Sequence, residues 1–179
     1  KQQFAAEYKS HPKLKSTFDN YFTHSNYELN LLYKSGKLIY NEKLNGFVNK
    51  VLQTVLTNSS QASNLKLFIV KSTEVNAFIY HTGEVFVTLG LLAQLENESQ
   101  LAYILAHEFS HFILKHHISS IVKSDGVSKT KSKTTQLSEE AEELVEFAFS
   151  REHEFEADSL GLCLVKASPY LSSSSLGAI

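Results

Sequence analysis

The sequence is poor in the residues on which several classes of protein depend. A single cysteine, Cys163, excludes an intramolecular disulfide and a cysteine-based zinc site, and its apolar neighbours predict that it is buried. No apolar run approaches the roughly 20 residues that a membrane-spanning helix needs. The net charge of -2, from 17 basic and 19 acidic residues, gives no cationic surface for a nucleic-acid backbone. The sequence therefore predicts neither a transmembrane segment nor a nucleic-acid partner.

The 179 residues are 42% hydrophobic, which is enough to bury the core of one domain. We predict a single domain over 1–179, with its core at about 44–170. The polar stretch 119–138 is expected to be a mobile loop, and 172–179 a disordered tail. The sequence opens at Lys1 without a basic and apolar leader, so a processed or trimmed form is expected.

The spacing of apolar residues predicts an α+β fold that is mostly helical with a small sheet. Helical periodicity marks short segments near the start and two long segments at about 100–118 and 138–166; the early ones are 4–8, 29–38 and 44–56. Strands are predicted at 65–71, 75–80 and 84–88, the last two joined through the turn at His81, Thr82 and Gly83.

The long segment 100–118 contains the motif His107-Glu108-Phe109-Ser110-His111. Two imidazoles four residues apart lie one turn apart on one helix face, a spacing that lets both bind one tetrahedral ion. The helix is apolar almost all round, so burying these polar groups would cost several kcal/mol unless a cation bound them. The motif predicts a metal site, with a chance match on a solvated helix as the alternative.

A third protein ligand is expected, and His117 is one candidate. It follows His111 by six residues, the metzincin spacing, but Leu114 stands where that class has glycine. The sequence also contains no methionine for the Met-turn of that class. We expect the helix to continue and to point His117 away from the ion. His116 and His117 are interpreted as polar residues near a helix C-terminus.

Glu154, on the last predicted helix, is the other candidate. Asp158 follows it by four residues on the same face, where it could accept the free N–H of a ligating imidazole. Ala157 has no bulk and would let the two helices approach closely. The remaining polar residues of this stretch are interpreted as solvated: Glu152, His153 and Glu156.

Three blocks of sequence together resemble the gluzincin metallopeptidases of the HtpX and type I CaaX prenyl protease family, especially the soluble BepA-like and the Oma-like members. The blocks are Asn76–Phe78 with Gly83 and Val85–Leu92, then His107–His111, then Ser150–Asp158. The resemblance implies a zincin-like fold with its active-site helix carrying HExxH, and one Zn²⁺ held by His107, His111 and Glu154. It implies catalytic roles for Glu108, as the base, and for Asp158, as the partner of a ligating imidazole.

The resemblance also implies a substrate and a setting. An extended polypeptide would bind along an edge strand formed by Val75, Asn76, Ala77 and Phe78. The expected activity is a zinc-dependent endopeptidase that cleaves unfolded or misassembled proteins in protein quality control. The alternative is a zinc-stabilised, chaperone-like module that binds chains without cutting them. We expect an exported protein, periplasmic or membrane-associated through an anchor outside this sequence; the oligomeric state stays open.

Overall fold

The computed structural model describes residues 14–121 and 139–170, and the side chains of the second range from 150 onward. The helices are α1 (Lys15–Lys34), α2 (Glu42–Val55), α3 (Leu89–Gln94), α4 (Glu98–Ile113) and α5 (Glu139–Lys166), with a 3-10 turn at Ala62–Asn64. The strands are β1 (Leu38–Ile39), β2 (Lys66–Val70), β3 (Ala77–Ile79) and β4 (Glu84–Thr88). This is the predicted α+β arrangement of many helices and a small sheet. No helix in these ranges is long and apolar enough to cross a membrane.

The four strands form one mixed sheet in the order β1-β2-β4-β3. The central strands β2 and β4 are parallel, while β1 and β3 pair antiparallel with them at the two ends. Ala77 lies opposite Val87 and Ile79 opposite Val85, which confirms the predicted hairpin between β3 and β4. β3 is therefore a terminal strand of the sheet.

Side chains of β4 alternate between two hydrophobic clusters because successive residues of a strand face opposite sides. Val85 and Val87 join the main core with α2 and α4. Phe86 faces the other side, where Leu29 of α1 covers it. The sheet thus lies between Leu29 of α1 and the core that contains α2 and α4.

Helix α4 begins at Asn97, whose side chain accepts a hydrogen bond from the backbone N–H of Gln100. The predicted start of this helix is therefore confirmed, with Asn97 as its cap. The side chains that surround the motif are buried in the core, namely Leu101, Ala102, Leu105, Ala106 and Phe109. This packing fixes the orientation of α4 relative to the sheet.

Thr88 and Gly90 fix the position of the segment that precedes β3. The Thr88 hydroxyl lies 2.6 Å from the carbonyl oxygen of Glu74 and accepts from the backbone N–H of Asn76 at 3.1 Å. A Cβ at Gly90 would overlap the carbonyl oxygens of Thr73 and Glu74. Only glycine therefore allows the start of α3 to pack against this segment.

Several predictions made from the sequence were wrong. α1 ends at Lys34, before a turn at Gly36 (φ 68°), and does not run to 38. Cys163 is exposed, because the buried Gly161 and Val165 face inward and a residue midway between them on a helix faces outward. Residues 119–121 are helical. The remainder of the predicted loop (122–138), the segment 4–8 and the predicted tail lie outside the described residues.

Candidate metal centre

Helices α4 and α5 approach closely enough for their side chains to share one site. Ala157 is fully buried, as its predicted role in close packing requires. Gly161, one turn later, lies directly against α4: a Cβ on it would stand 3.2 Å from the Cα and from the N of His107. Gly161 was not among the residues predicted to matter, although its spacing of four residues from Ala157 indicates a stripe of small side chains. This stripe brings Glu154 and Asp158 beside the motif on α4.

The three residues predicted as ligands lie together. The Nε2 atoms of His107 and His111 are 3.0 Å apart. The Glu154 carboxylate places Oε2 3.4 Å from His107 Nε2 and Oε1 3.5 Å from His111 Nε2. In the described parts of the chain this is the one group of three or more possible ligands whose atoms lie within 4.8 Å of one another. Two helices thus present two nitrogens and a carboxylate to a common point.

Asp158 is hydrogen-bonded to Nδ1 of His107, the ring nitrogen that faces away from Glu154. Its Oδ1 lies 2.9 Å from His107 Nδ1 and accepts a second hydrogen bond, also of 2.9 Å, from the hydroxyl of Tyr103. Burial raises the pKa of Tyr103, and the hydrogen bond to the negative Asp158 raises it further, so the phenol stays protonated. Because a carboxylate only accepts, His107 carries a proton on Nδ1, and a neutral ring then has its lone pair on Nε2.

His111 has a different partner. Its Nδ1 lies 2.8 Å from Nδ1 of His116, and Nε2 of His116 lies 3.0 Å from Oε2 of Glu156. The His116 ring also stacks on His153, with centroids 4.0 Å apart and planes 7° apart. Both of these imidazoles are buried. The prediction that His153 is solvated was wrong, because its ring is buried. Glu156 is half exposed, as predicted, and it also pairs with His116. His116, interpreted as a polar residue near a helix C-terminus, follows the end of α4 but is buried.

A break in the helix explains the position of His116. α4 ends at Ile113, and Lys115 adopts a left-handed conformation with φ 57° before residues 116–121 form a new helical segment. In the predicted uninterrupted helix, His116 would lie further along the helix than the motif. The break turns the chain so that His116 contacts His111. No residue type marks this break in the sequence, because a left-handed lysine is uncommon.

The same break directs His117 to the other side. Its ring stacks on Tyr21 of α1, with centroids 6.2 Å apart and planes 20° apart. It is not among the clustered ligand atoms. The expectation that His117 lies away from the motif agrees with the structure, although the continuous helix given as its reason does not.

The donor atoms of these residues suit a divalent cation. Both hydrogen-bond chains end on carboxylates, Asp158 and Glu156, so neutral imidazoles donate outward along each chain. In these tautomers the Nε2 lone pairs of His107 and His111 face each other at 3.0 Å, an arrangement that a cation between them would stabilise. Two nitrogens bound to tetrahedral zinc at about 2.0–2.1 Å would be separated by roughly 3.4 Å, close to this distance.

The pKa values at the motif follow from burial. Burial first, and then the neighbouring His107, lower the pKa of His111 to about 4, so this imidazole is neutral at pH 7. Burial and the negative charge of Glu154 raise the pKa of Glu108 to about 7. Glu108 can therefore gain or release a proton near neutral pH, as general acid–base chemistry requires.

Only some of the residues predicted to bind substrate have backbone groups that point outward from the edge strand. Asn76 O accepts from the backbone N–H of Thr88, and Tyr80 N donates to Glu84 O. In an antiparallel ladder alternate residues face the partner strand, so the backbone groups of Asn76 and Phe78 point toward β4. Those of Ala77 and Ile79 point outward, where no strand of the described ranges pairs with them. The Phe78 ring stacks on Phe86 at 5.2 Å, so it packs on the sheet.

The chain was also compared with known proteins. The model of Peptidase family M48 matches residues 42–177. Mitochondrial metalloendopeptidase OMA1 of Schizosaccharomyces pombe is 32% identical over 129 residues, which cover 66% of this chain and 38% of that protein. The beta-barrel assembly-enhancing protease of Escherichia coli (strain K12) is 30% identical over 91 residues, which cover 50% of this chain and 19% of that protein.

A metalloendopeptidase OMA1, mitochondrial, of Bos taurus is 40% identical over 53 residues, which cover 30% of this chain and 10% of that protein. The chain thus spans at most 38% of the length of these three relatives. The matches confirm the resemblance to Oma-like and BepA-like proteins. Because the family model covers most of its residues, the chain belongs to peptidase family M48, a family of metallopeptidases.

Proposed function

We propose that this protein is a zinc-dependent endopeptidase in which His107, His111 and Glu154 hold one Zn²⁺ and Glu108 is the general base. The proposal rests on the two bare Nε2 atoms that face each other at 3.0 Å beside a carboxylate. Three protein ligands leave a tetrahedral ion one position for water, as catalytic zinc sites do. A purely structural zinc site is usually closed by four ligands, and it needs no acid such as Glu108.

The residues around the site would have separate roles in the reaction. Zinc bound there would acidify a water molecule and polarise the carbonyl of the scissile bond. Glu108 takes the proton of the attacking water and then delivers it to the leaving amine. Asp158 keeps the His107 Nδ1 proton in place, so that Nε2 stays available. Burial raises the pKa of Glu108 in the metal-free protein, and burial also favours the protonated form that the group must hold between the two transfers.

The terminal strand β3 supports a polypeptide substrate. The backbone groups of Ala77 and Ile79 point outward and can pair with an extended chain. Val75 lies two residues before Ala77, so its backbone groups would point outward as well. Of the four residues predicted to bind substrate, Val75 and Ala77 would supply these contacts, while Asn76 and Phe78 shape the strand from its inner side. An extended segment is available in unfolded or misassembled proteins, so we propose protein quality control as the setting.

Cleavage assays test this proposal. An unfolded protein such as reduced casein is incubated with zinc-loaded protein, with chelator-treated protein and with chelator-treated protein after zinc is restored. We expect cleavage only where zinc is present. Binding of casein with no cleavage in any sample would instead support the non-cutting, chaperone-like module. The proposed export, periplasmic or through a membrane anchor outside this sequence, is tested by cell fractionation of the full-length protein.

A further inference from the structure

The two imidazole ligands are supported in different ways. His107 bonds directly to a carboxylate, that of Asp158, at 2.9 Å. The outer nitrogen of His111, Nδ1, reaches a carboxylate through a second imidazole, that of His116. We propose that His116 and Glu156 are positioning residues that fix the tautomer and the ring orientation of His111 for zinc. This inference rests on the proposed zinc site and adds the residues that prepare its second nitrogen ligand.

When His111 and His116 are both neutral, one arrangement of protons satisfies the hydrogen bonds of this chain. Glu156 accepts from Nε2 of His116 at 3.0 Å, so a neutral His116 has a lone pair on Nδ1. That lone pair accepts from Nδ1–H of His111 at 2.8 Å, which leaves the His111 Nε2 without a proton. The carboxylate thus determines, two hydrogen bonds away, which nitrogen of His111 is free to bind a metal.

Packing keeps the relay in place. His116 is 5% exposed and His153 is 8% exposed, and their parallel rings stack at 4.0 Å. Burial and stacking hold the plane of the His116 ring, and its hydrogen bond to Glu156 fixes which edge faces His111. His153 and Glu156 both belong to α5, the helix that also supplies Glu154, so one helix contributes a ligand and supports both imidazoles.

Four variants test the relay. His116→Phe keeps a ring to stack on His153 but removes both nitrogens, and Glu156→Ala removes the terminal carboxylate. His116→Asn restores an acceptor near the position of Nδ1. Glu152→Ala removes an exposed acid from the same helix and is the matched control. Zinc affinity is measured by competition with a chromophoric chelator, and the absorption spectrum of the cobalt-substituted protein reports the ligand geometry.

We expect His116→Phe to weaken zinc binding by about 10- to 100-fold and to shift the cobalt spectrum. Glu156→Ala should weaken binding less, His116→Asn should recover most of the affinity, and Glu152→Ala should bind as the wild type does. Thermal unfolding of the metal-free proteins identifies any variant that fails to fold; if His116→Phe does, Glu156→Ala decides the question.

Wild-type affinity and an unchanged cobalt spectrum in folded His116→Phe and Glu156→Ala would overturn the relay. If His107→Ala still loses zinc in that experiment, the proposed metal site survives and only the relay fails. A wild-type protein that binds no zinc would overturn both.

Discussion

Gly161 of α5 lies against the backbone of His107 in α4, so closely that a Cβ there would stand 3.2 Å from the Cα and the N of His107. We expect Gly161→Val to force the helices apart and to lower the free energy of unfolding by about 1–3 kcal/mol. Gly46→Val is the matched control, because no atom lies within 4 Å of a Cβ at Gly46 in α2. Urea denaturation of both variants measures the difference, and equal stabilities would contradict this account of the helix contact.

A single substitution can test the role of Glu108 without changing the proposed metal ligands. Glu108→Gln removes the proton acceptor but leaves His107, His111 and Glu154 unchanged. We expect stoichiometric zinc by elemental analysis together with a loss of casein cleavage of at least about 100-fold. Wild-type turnover in the zinc-loaded variant would exclude Glu108 as the base. His111→Ala, by contrast, should lose zinc as well as activity.

Asp158 accepts hydrogen bonds from both His107 and Tyr103, and the bond from Tyr103 can be removed alone. Asp158→Ala deprives the imidazole of its partner, so zinc affinity should fall by about 10- to 100-fold. Tyr103→Phe removes only the phenolic hydroxyl and should lower the affinity much less. The same competition assay compares the two, and the reverse order of effects would show that Tyr103 is the main support of His107.

His81 predicts a pH dependence of stability away from the metal site. Burial lowers the pKa of this imidazole, whose Nδ1 lies 3.1 Å from the Ser25 hydroxyl. The unfolded chain therefore binds a proton more readily than the folded one, so the contribution of neutral His81 is present above the unfolded pKa. It is lost as the pH falls through the lowered folded value.

We expect wild-type protein to lose more unfolding free energy than His81→Gln between pH 7.5 and pH 5, as measured by urea denaturation. Ser25→Ala is the control: it removes the hydrogen bond but keeps the buried imidazole, so its pH dependence should follow the wild type. Parallel pH profiles for wild type and His81→Gln would contradict the lowered pKa.

Spacing was enough to predict the parts of the site that lie on single elements. His107 and His111 share a helix face because they are four residues apart, and Glu154 and Asp158 do so for the same reason. The hairpin of β3 and β4 followed from its turn residues. The catalytic and ligand roles of these residues stay predictions, although the structure brings their side chains together.

Other features depend on contacts that spacing does not reveal. The left-handed Lys115 ends α4 early and returns His116 to His111, and no local sequence signal announces it. Cys163 has apolar neighbours yet lies on the outer side of α5, because the direction of that helix is set by packing at Gly161. The outward backbone groups of Ala77 and Ile79 depend on the register of β3 with β4, which only the paired strands define.

The most direct test is a crystal structure of the zinc-loaded protein with anomalous diffraction measured at the zinc absorption edge. We predict one anomalous peak between α4 and α5, about 2.0–2.2 Å from Nε2 of His107, Nε2 of His111 and a carboxylate oxygen of Glu154. A peak bound to other side chains, or one that Glu154 does not reach, would contradict the proposed site and the peptidase mechanism built on it.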